Sequence, residues 1–163
     1  MSDIAFIDLE ASGLGAKSWP IEAGWCFQAG TPVSMLIKPD ETWPTDQWDE
    51  NAHALHGISL QALNKTGIEV QKVCTALNTA LEGKTVYSDA PDWDGFWLYR
   101  LYQAARIRQK FTLRDFYDVF RTVAADDLDK FIDRANKIAP RAHRAVPDVL
   151  HMRALFESAA PHN

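Results

Sequence analysis

Cysteine is scarce: Cys26 and Cys74 are the only two in 163 residues. They stand far apart among apolar neighbours without CxxC spacing, so neither a disulfide framework nor a metal knuckle is indicated. Reduced thiols and a cytoplasmic location are expected. No apolar run approaches the ~20 residues of a membrane span, and the opening MSDIAFIDLE carries acids where a secretory signal has Lys or Arg. Neither membrane insertion nor export is expected. Glycine and proline number 8 each without forming a tract, and no repeat or low-complexity linker interrupts the chain. Disorder, collagen and coiled-coil arrays are thereby excluded. Positive charge is also in deficit, with 17 Lys and Arg against 22 Asp and Glu and a net charge of −5. That balance argues against a protein that coats long nucleic acid electrostatically, but leaves room for a local site.

What is present is ordinary globular composition, 47% hydrophobic, 24% charged and 11% aromatic. The length lies near the prior of one domain per ~150 residues, so a single domain over residues 1–163 is predicted. About two-thirds of the unfolded surface can be buried at this size, so a core rich in Trp and Phe needs no disulfide.

Ile4 to Leu9 is short and continuously apolar, the pattern of a strand buried on both faces, and two carboxylates end it. IEAGWCF at 21–27 alternates as a strand, Ala29-Gly30 turns, and Val33 to Ile37 returns as its partner. Lys38 to Gly57 reads as a long surface segment with one helical turn. Residues 58–82 carry helical spacings broken at Thr66-Gly67, Thr85 to Ser88 is a strand, and Asp89-Ala90-Pro91-Asp92 starts a helix. A short strand near Phe111 to Phe116, a helical stretch over 117–138, and a last helix opened by Pro147 and running to Glu157 complete the pattern. The order predicts an α/β fold, a mixed sheet with helices on its faces.

Asp8 and Glu10 are two apart on an extended segment, so their side chains leave the face that carries Ile4 and Phe6. Buried unpaired carboxylates are costly, and a divalent cation removes that cost. The plainer alternative is that the strand ends at Asp8 and both acids are solvated. HRAVPD at 143–148 puts Asp148 in a first helical turn with His143 just outside. The helix dipole favours an acid there by ~0.3–1 kcal/mol without any metal. Asp89, Asp92 and Asp94 crowd the start of another helix, where each is also a candidate cap.

Taken in order, FIDLEASGL at 6–14, DWDGFWL at 92–98 and HRAVPD at 143–148 resemble the motifs of the DnaQ-like, DEDDh-type 3′–5′ exonucleases of the ribonuclease H-like superfamily. The likeness covers essentially the whole chain, and ALHGIS at 54–59 is similar to a further stretch of that family. It implies a ribonuclease H-like mixed five-stranded sheet flanked by helices. It also implies hydrolysis of 3′-terminal phosphodiesters of single-stranded DNA or RNA, or of short oligonucleotides, to nucleoside monophosphates. Position by position, the resemblance assigns metal ligation to Asp8, Glu10, Asp94 and Asp148, and the general base to His143. Arg144 stands where the tyrosine-type branch has Tyr. Ala90 stands where the family often has Asn, so Asp89 and Asp92 compete with Asp94, which is preferred because the GFWL after it locks the helix against the sheet. Ala11, Leu14 and His56 map to contacts with the terminal nucleotide, with Leu14 either a wedge between bases or a core residue after a Gly turn.

Two metals are implied, and an oxygen-only ligand set selects Mg²⁺ or Mn²⁺. Such a pair stabilises charge on both the attacking and the leaving oxygen, while His143 must be neutral to accept a proton. With the liganding acids set aside, the remaining charge is nearly neutral. His53 and His56 imitate a metal pair but lack a third ligand. Arg100, Arg106, Arg108, Lys110 and Arg114 form the densest basic stretch, a solvated face or a contact for backbone phosphates. Two other functions fit the same motifs: a catalytically inactive nucleic-acid-binding module, and a ribonuclease H-like endonuclease. A nuclease assay with Mg²⁺ or Mn²⁺ separates the first, and blocking the 3′ end separates the second.

Overall fold

Period-two alternation in the first part of the chain produces three consecutive strands, β1 (Ile4–Ala11), β2 (Pro20–Phe27) and β3 (Val33–Leu36). They pair antiparallel in sequence order. The computed structural model describes residues 3–159. Two later strands, β4 (Thr85–Ser88) and β5 (Leu113–Asp115), add in parallel on the other side of β1. The sheet order is β3-β2-β1-β4-β5, which puts β1 at the centre. Among the described residues six helices flank the sheet: α1 (Glu50–His56), α2 (Leu60–Thr66), α3 (Val70–Leu81), α4 (Pro91–Ala105), α5 (Ala125–Ile138) and α6 (Ala145–Ala159). The expected mixed α/β sheet is present.

Because side chains alternate along a strand, β1 divides its residues between two cores. Ala5, Ile7, Leu9 and Ala11 pack with residues of α2, α3 and α4, including Leu63, Val73, Leu77 and Leu98. Phe6 faces the other way, onto Phe116, Val149 and Met152. Asp8 and Glu10 share that second face, the one covered by α6. Helix α6 reaches the sheet closely because Gly24 of β2, which pairs with Asp8, has no side chain; a Cβ there would lie 2.6 Å from that of Ala145. Both cysteines are free and buried, and burial pushes their thiols up to about 11 for Cys26 and about 12 for Cys74.

Several elements depart from the sequence expectation. Strand β1 runs through Glu10 to Ala11, with its irregularity between those two residues, because pairing to β2 extends past the acids. The surface segment after β3 holds a 3-10 turn at Thr45–Gln47 and all of α1, capped by Asp49 accepting from the amides of Asn51 and Ala52. It is anchored by Trp43 and Trp48 packing on Trp19, with ring centroids 5.5 and 5.8 Å apart. The stretch expected as one helix over 117–138 is a 3-10 turn at Phe116–Phe120 followed by α5. Pro147 does not open α6; the helix begins at Ala145, and Pro147 sits in its first turn, where a missing N–H costs nothing. Among the described residues, no helix is long and apolar enough to cross a membrane.

Candidate metal centre

Three elements converge at one end of the central strand. Strand β1 supplies Asp8 and Glu10, the first turn of α4 supplies Asp94, and the first turn of α6 supplies Asp148. Asp8, Asp94 and Asp148 are buried, at 8, 2 and 5% exposure. Glu10 is half-buried. One oxygen each from Asp8, Glu10 and Asp148 lie within 4.8 Å of one another, as do one each from Asp8, Asp89 and Asp94. Asp8 is thus common to two adjacent oxygen triads.

Burial and mutual repulsion raise the carboxyls of this cluster. Burial, and then the repulsion of Asp94, Glu10 and Asp148, hold Asp8 well above the usual carboxylate range. Burial raises Asp94 to about 8, against the stabilising hydrogen bond from Ser88 Oγ to its Oδ2 at 2.6 Å. Glu10 is raised to about 7, chiefly by burial and by Asp148. Asp8 Oδ2 is buried with no hydrogen-bond partner. An all-oxygen set with an orphaned buried carboxylate oxygen fits a hard divalent cation, whose charge reverses each of these shifts.

The sequence-assigned acids are therefore brought together, and Asp89 joins them. Asp92 is exposed and belongs to neither triad. Asp89 does not cap α4: the residue at that cap is Ala90, which makes no side-chain bond to the helix. Instead Asp89 Oδ2 pairs with Arg141 Nη2 at 2.5 Å, which keeps the Arg141 guanidinium firmly charged although burial opposes it. His143 lies on the irregular segment before α6, exposed, at a left-handed φ of 51°. The residues on either side of it are tied down: Ala142 N–H, just before it, donates to Asp148 Oδ1 at 3.0 Å. Arg144 Nε and Nη2 donate to Glu22 Oε2 and Oε1 at 2.8 and 3.0 Å. Glu22, only 2% exposed and paired in register with Glu10, also accepts from the Ala145 amide at 3.3 Å. Sequence reasoning missed Glu22, Arg141 and Arg144 as parts of the site. The signal for Glu22 was an acid within an otherwise apolar alternating strand, which demands a cationic partner.

The residues that the resemblance maps to the terminal nucleotide differ in their surroundings. Ala11 is buried at the end of β1, and Leu14 is 65% exposed, so it is no core residue. His56 is buried at the end of α1, its Nδ1 accepting from Ile58 N–H at 3.0 Å and its ring in reach of the Ala11 backbone. Burial, with help from His53 and Arg144, lowers its pKa and favours the neutral ring. His53 pairs with Glu50 and joins no metal-type group among the described residues. In the basic stretch, Arg100 lies 5.9 Å over the Phe96 ring and Lys110 pairs with Glu82, so neither is a bare cation.

The fold is of the ribonuclease H-like class, a mixed five-stranded sheet whose central strand ends in clustered acids. No protein-family model matches the chain and no curated protein is similar to it in sequence. Solved structures share the fold. E. coli exonuclease I in complex with a dA16 oligonucleotide superposes with a TM-score of 0.72 at 15% identity, over 94% of this chain and 42% of that one. The zinc-bound form of the E. coli exonuclease I–ssDNA complex gives 0.70 at 15%, over 93% and 39%. A moderately thermophilic exonuclease I from Methylocaldum szegediense gives 0.65 at 18%, over 97% and 41%. The chain thus spans about two-fifths of the length of these structures.

Proposed function

We propose that this protein is a metal-dependent 3′–5′ exonuclease acting on single-stranded nucleic acid and releasing nucleoside monophosphates. The observation that carries this reading is Asp8 shared between two oxygen triads, the arrangement that two neighbouring hard cations require. The likeness in fold to exonuclease I, solved with single-stranded oligonucleotides, supports it.

In this reading Glu10 and Asp148 would hold one cation with Asp8, and Asp94 would hold the other with Asp8. Two such cations, when bound, would supply a nucleophile at neutral pH and offset the charge that develops in the reaction; the oxygen-only donors favour Mg²⁺ or Mn²⁺. His143, as the neutral imidazole, accepts the proton of the attacking water. Leu14, exposed three residues after the Asp8/Glu10 strand end at Ala11, would stack against the terminal bases, and Ala11 and His56 would contact the last nucleotide. The neutral ring set by the Ile58 bond leaves His56 Nε2 as a donor.

End-labelled DNA and RNA strands of identical sequence, incubated with Mg²⁺ or Mn²⁺, test the proposal. A ladder shortening from the 3′ end, abolished by a 3′ block, is expected. Cleavage that survives the block makes the protein an endonuclease; binding without cleavage makes it a non-catalytic module.

A further inference from the structure

His143 presents a mechanical problem. It is exposed, sits between α5 and α6 in a segment without regular structure, and makes no side-chain hydrogen bond among the described residues. A proton acceptor has to be held within about 0.5 Å of its working position. Its support must therefore come from its neighbours. On its C-terminal side the Arg144–Glu22 pair and the Ala145 amide fix the start of α6 to β2. On its N-terminal side the backbone is held at Ala139, whose carbonyl accepts from His151 Nδ1 at 2.9 Å. Between that point and Ala142, the side-chain tie among the described residues is Arg141 to Asp89.

This pair differs from the surface ion pairs of the molecule. The Asp89 side chain is 9% exposed and that of Arg141 35%, whereas both partners are more than two-fifths exposed in Lys38–Glu69, Lys110–Glu82 and Lys130–Asp127. Exposed pairs of that kind contribute little, while a buried carboxylate deprived of its counter-charge is costly. Asp89 also neighbours Asp8 and Asp94, so the pair joins the acidic cluster to the segment bearing His143.

We propose that Arg141 and Asp89 are positioning residues, a guanidinium–carboxylate tie that holds the His143 segment against the carboxylate cluster. As a role in catalysis this rests on the nuclease reading. The tie itself does not, and its first test needs no turnover. Hydrogen exchange of the amides around residues 141–143 is measured in metal-free wild type, Arg141→Gln, Arg141→Lys and Asp89→Asn. Exchange at least tenfold faster at these amides in Arg141→Gln, beyond any uniform rise at the core amides of β1 and α3, is expected, with part of the protection restored by Lys. Calorimetry with Mn²⁺ should count the same number of sites in wild type and Arg141→Gln. In the nuclease assay, Arg141→Gln should lower kcat by about 10–100-fold with KM within threefold. The Arg141→Gln/Asp89→Asn double variant should be no worse than the poorer single variant, as expected for partners in one interaction. Unchanged exchange in Arg141→Gln overturns the proposal. So does a rise in KM at constant kcat, which would make Arg141 a phosphate contact. Inactive wild type with the exchange result intact removes the nuclease reading and leaves the tie standing.

Discussion

Asp8 is the residue on which the whole site turns, because both oxygen triads include it and its Oδ2 has no hydrogen-bond partner among the described residues. Asp8→Ala and Glu10→Ala should each abolish turnover. Neither should lower the melting temperature of the metal-free protein, since removing one of several crowded acids relieves repulsion. Near-normal rates in Mg²⁺ would end the two-metal assignment. The acids around α4 separate by position: Asp94 is buried in the cluster, Asp89 is shared between cluster and Arg141, and Asp92 is exposed. Substitution by Asn should therefore be most damaging at Asp94, intermediate at Asp89 and nearly silent at Asp92, read as kcat at saturating Mg²⁺. An active Asp94→Asn enzyme would shift the ligand role to Asp89. His143→Ala should lower the maximal rate by about 10²–10⁴-fold while leaving metal binding measurable by calorimetry. A loss below about threefold removes it from the mechanism.

Among the elements, α6 matters most to the proposed function, which gives roles to Asp148 in its first turn and to His143 just before it. Its docking depends on Gly24: an added Cβ meets the Cβ of Ala145 at 2.6 Å and its carbonyl carbon at 3.2 Å. Gly24→Ala should force the helix outward and destabilise the fold by roughly 1–3 kcal/mol, as overpacking does. Unlike an ordinary core defect, it should also weaken Mn²⁺ binding, since Asp148 moves with the helix; unchanged affinity in calorimetry contradicts this account. The sequence made the strands and the acids legible through period-two alternation, and Asp8 and Glu10 do share the face of Phe6. It hid α1, whose seven residues bury only His56 and so lack a full apolar stripe. It also hid the division between the Phe116–Phe120 turn and α5, since helical spacing alone does not reveal a break filled by polar and small residues. The Arg141–Asp89 and Arg144–Glu22 pairs were not legible because each joins distant parts of the chain, which local spacing does not report.

For the molecule as a whole, the raised carboxylates set how stability responds to pH. In the metal-free protein Glu10 titrates at about 7 and Asp94 at about 8, and Asp8 is also raised, whereas in the unfolded chain such groups release their protons near pH ~4. The native state holds more protons across that window, so stability falls as pH rises from about 4 toward 8. Thermal melts in chelator should show the midpoint dropping between pH 5 and 8, at about 2–4 °C per kcal/mol lost. Mn²⁺ should reduce or reverse the drop, because binding requires the deprotonated acids. A midpoint independent of pH would contradict the burial argument. The order of these acids along the chain also matters during synthesis. Asp8, Glu10, Asp89 and Asp94 leave the ribosome well before His143 and Asp148, a delay of seconds to tens of seconds at about 5–20 residues per second. Until α6 emerges and settles on Gly24, the growing polypeptide lacks Asp148, so the oxygen triad of Asp8, Glu10 and Asp148 closes only once that helix has docked.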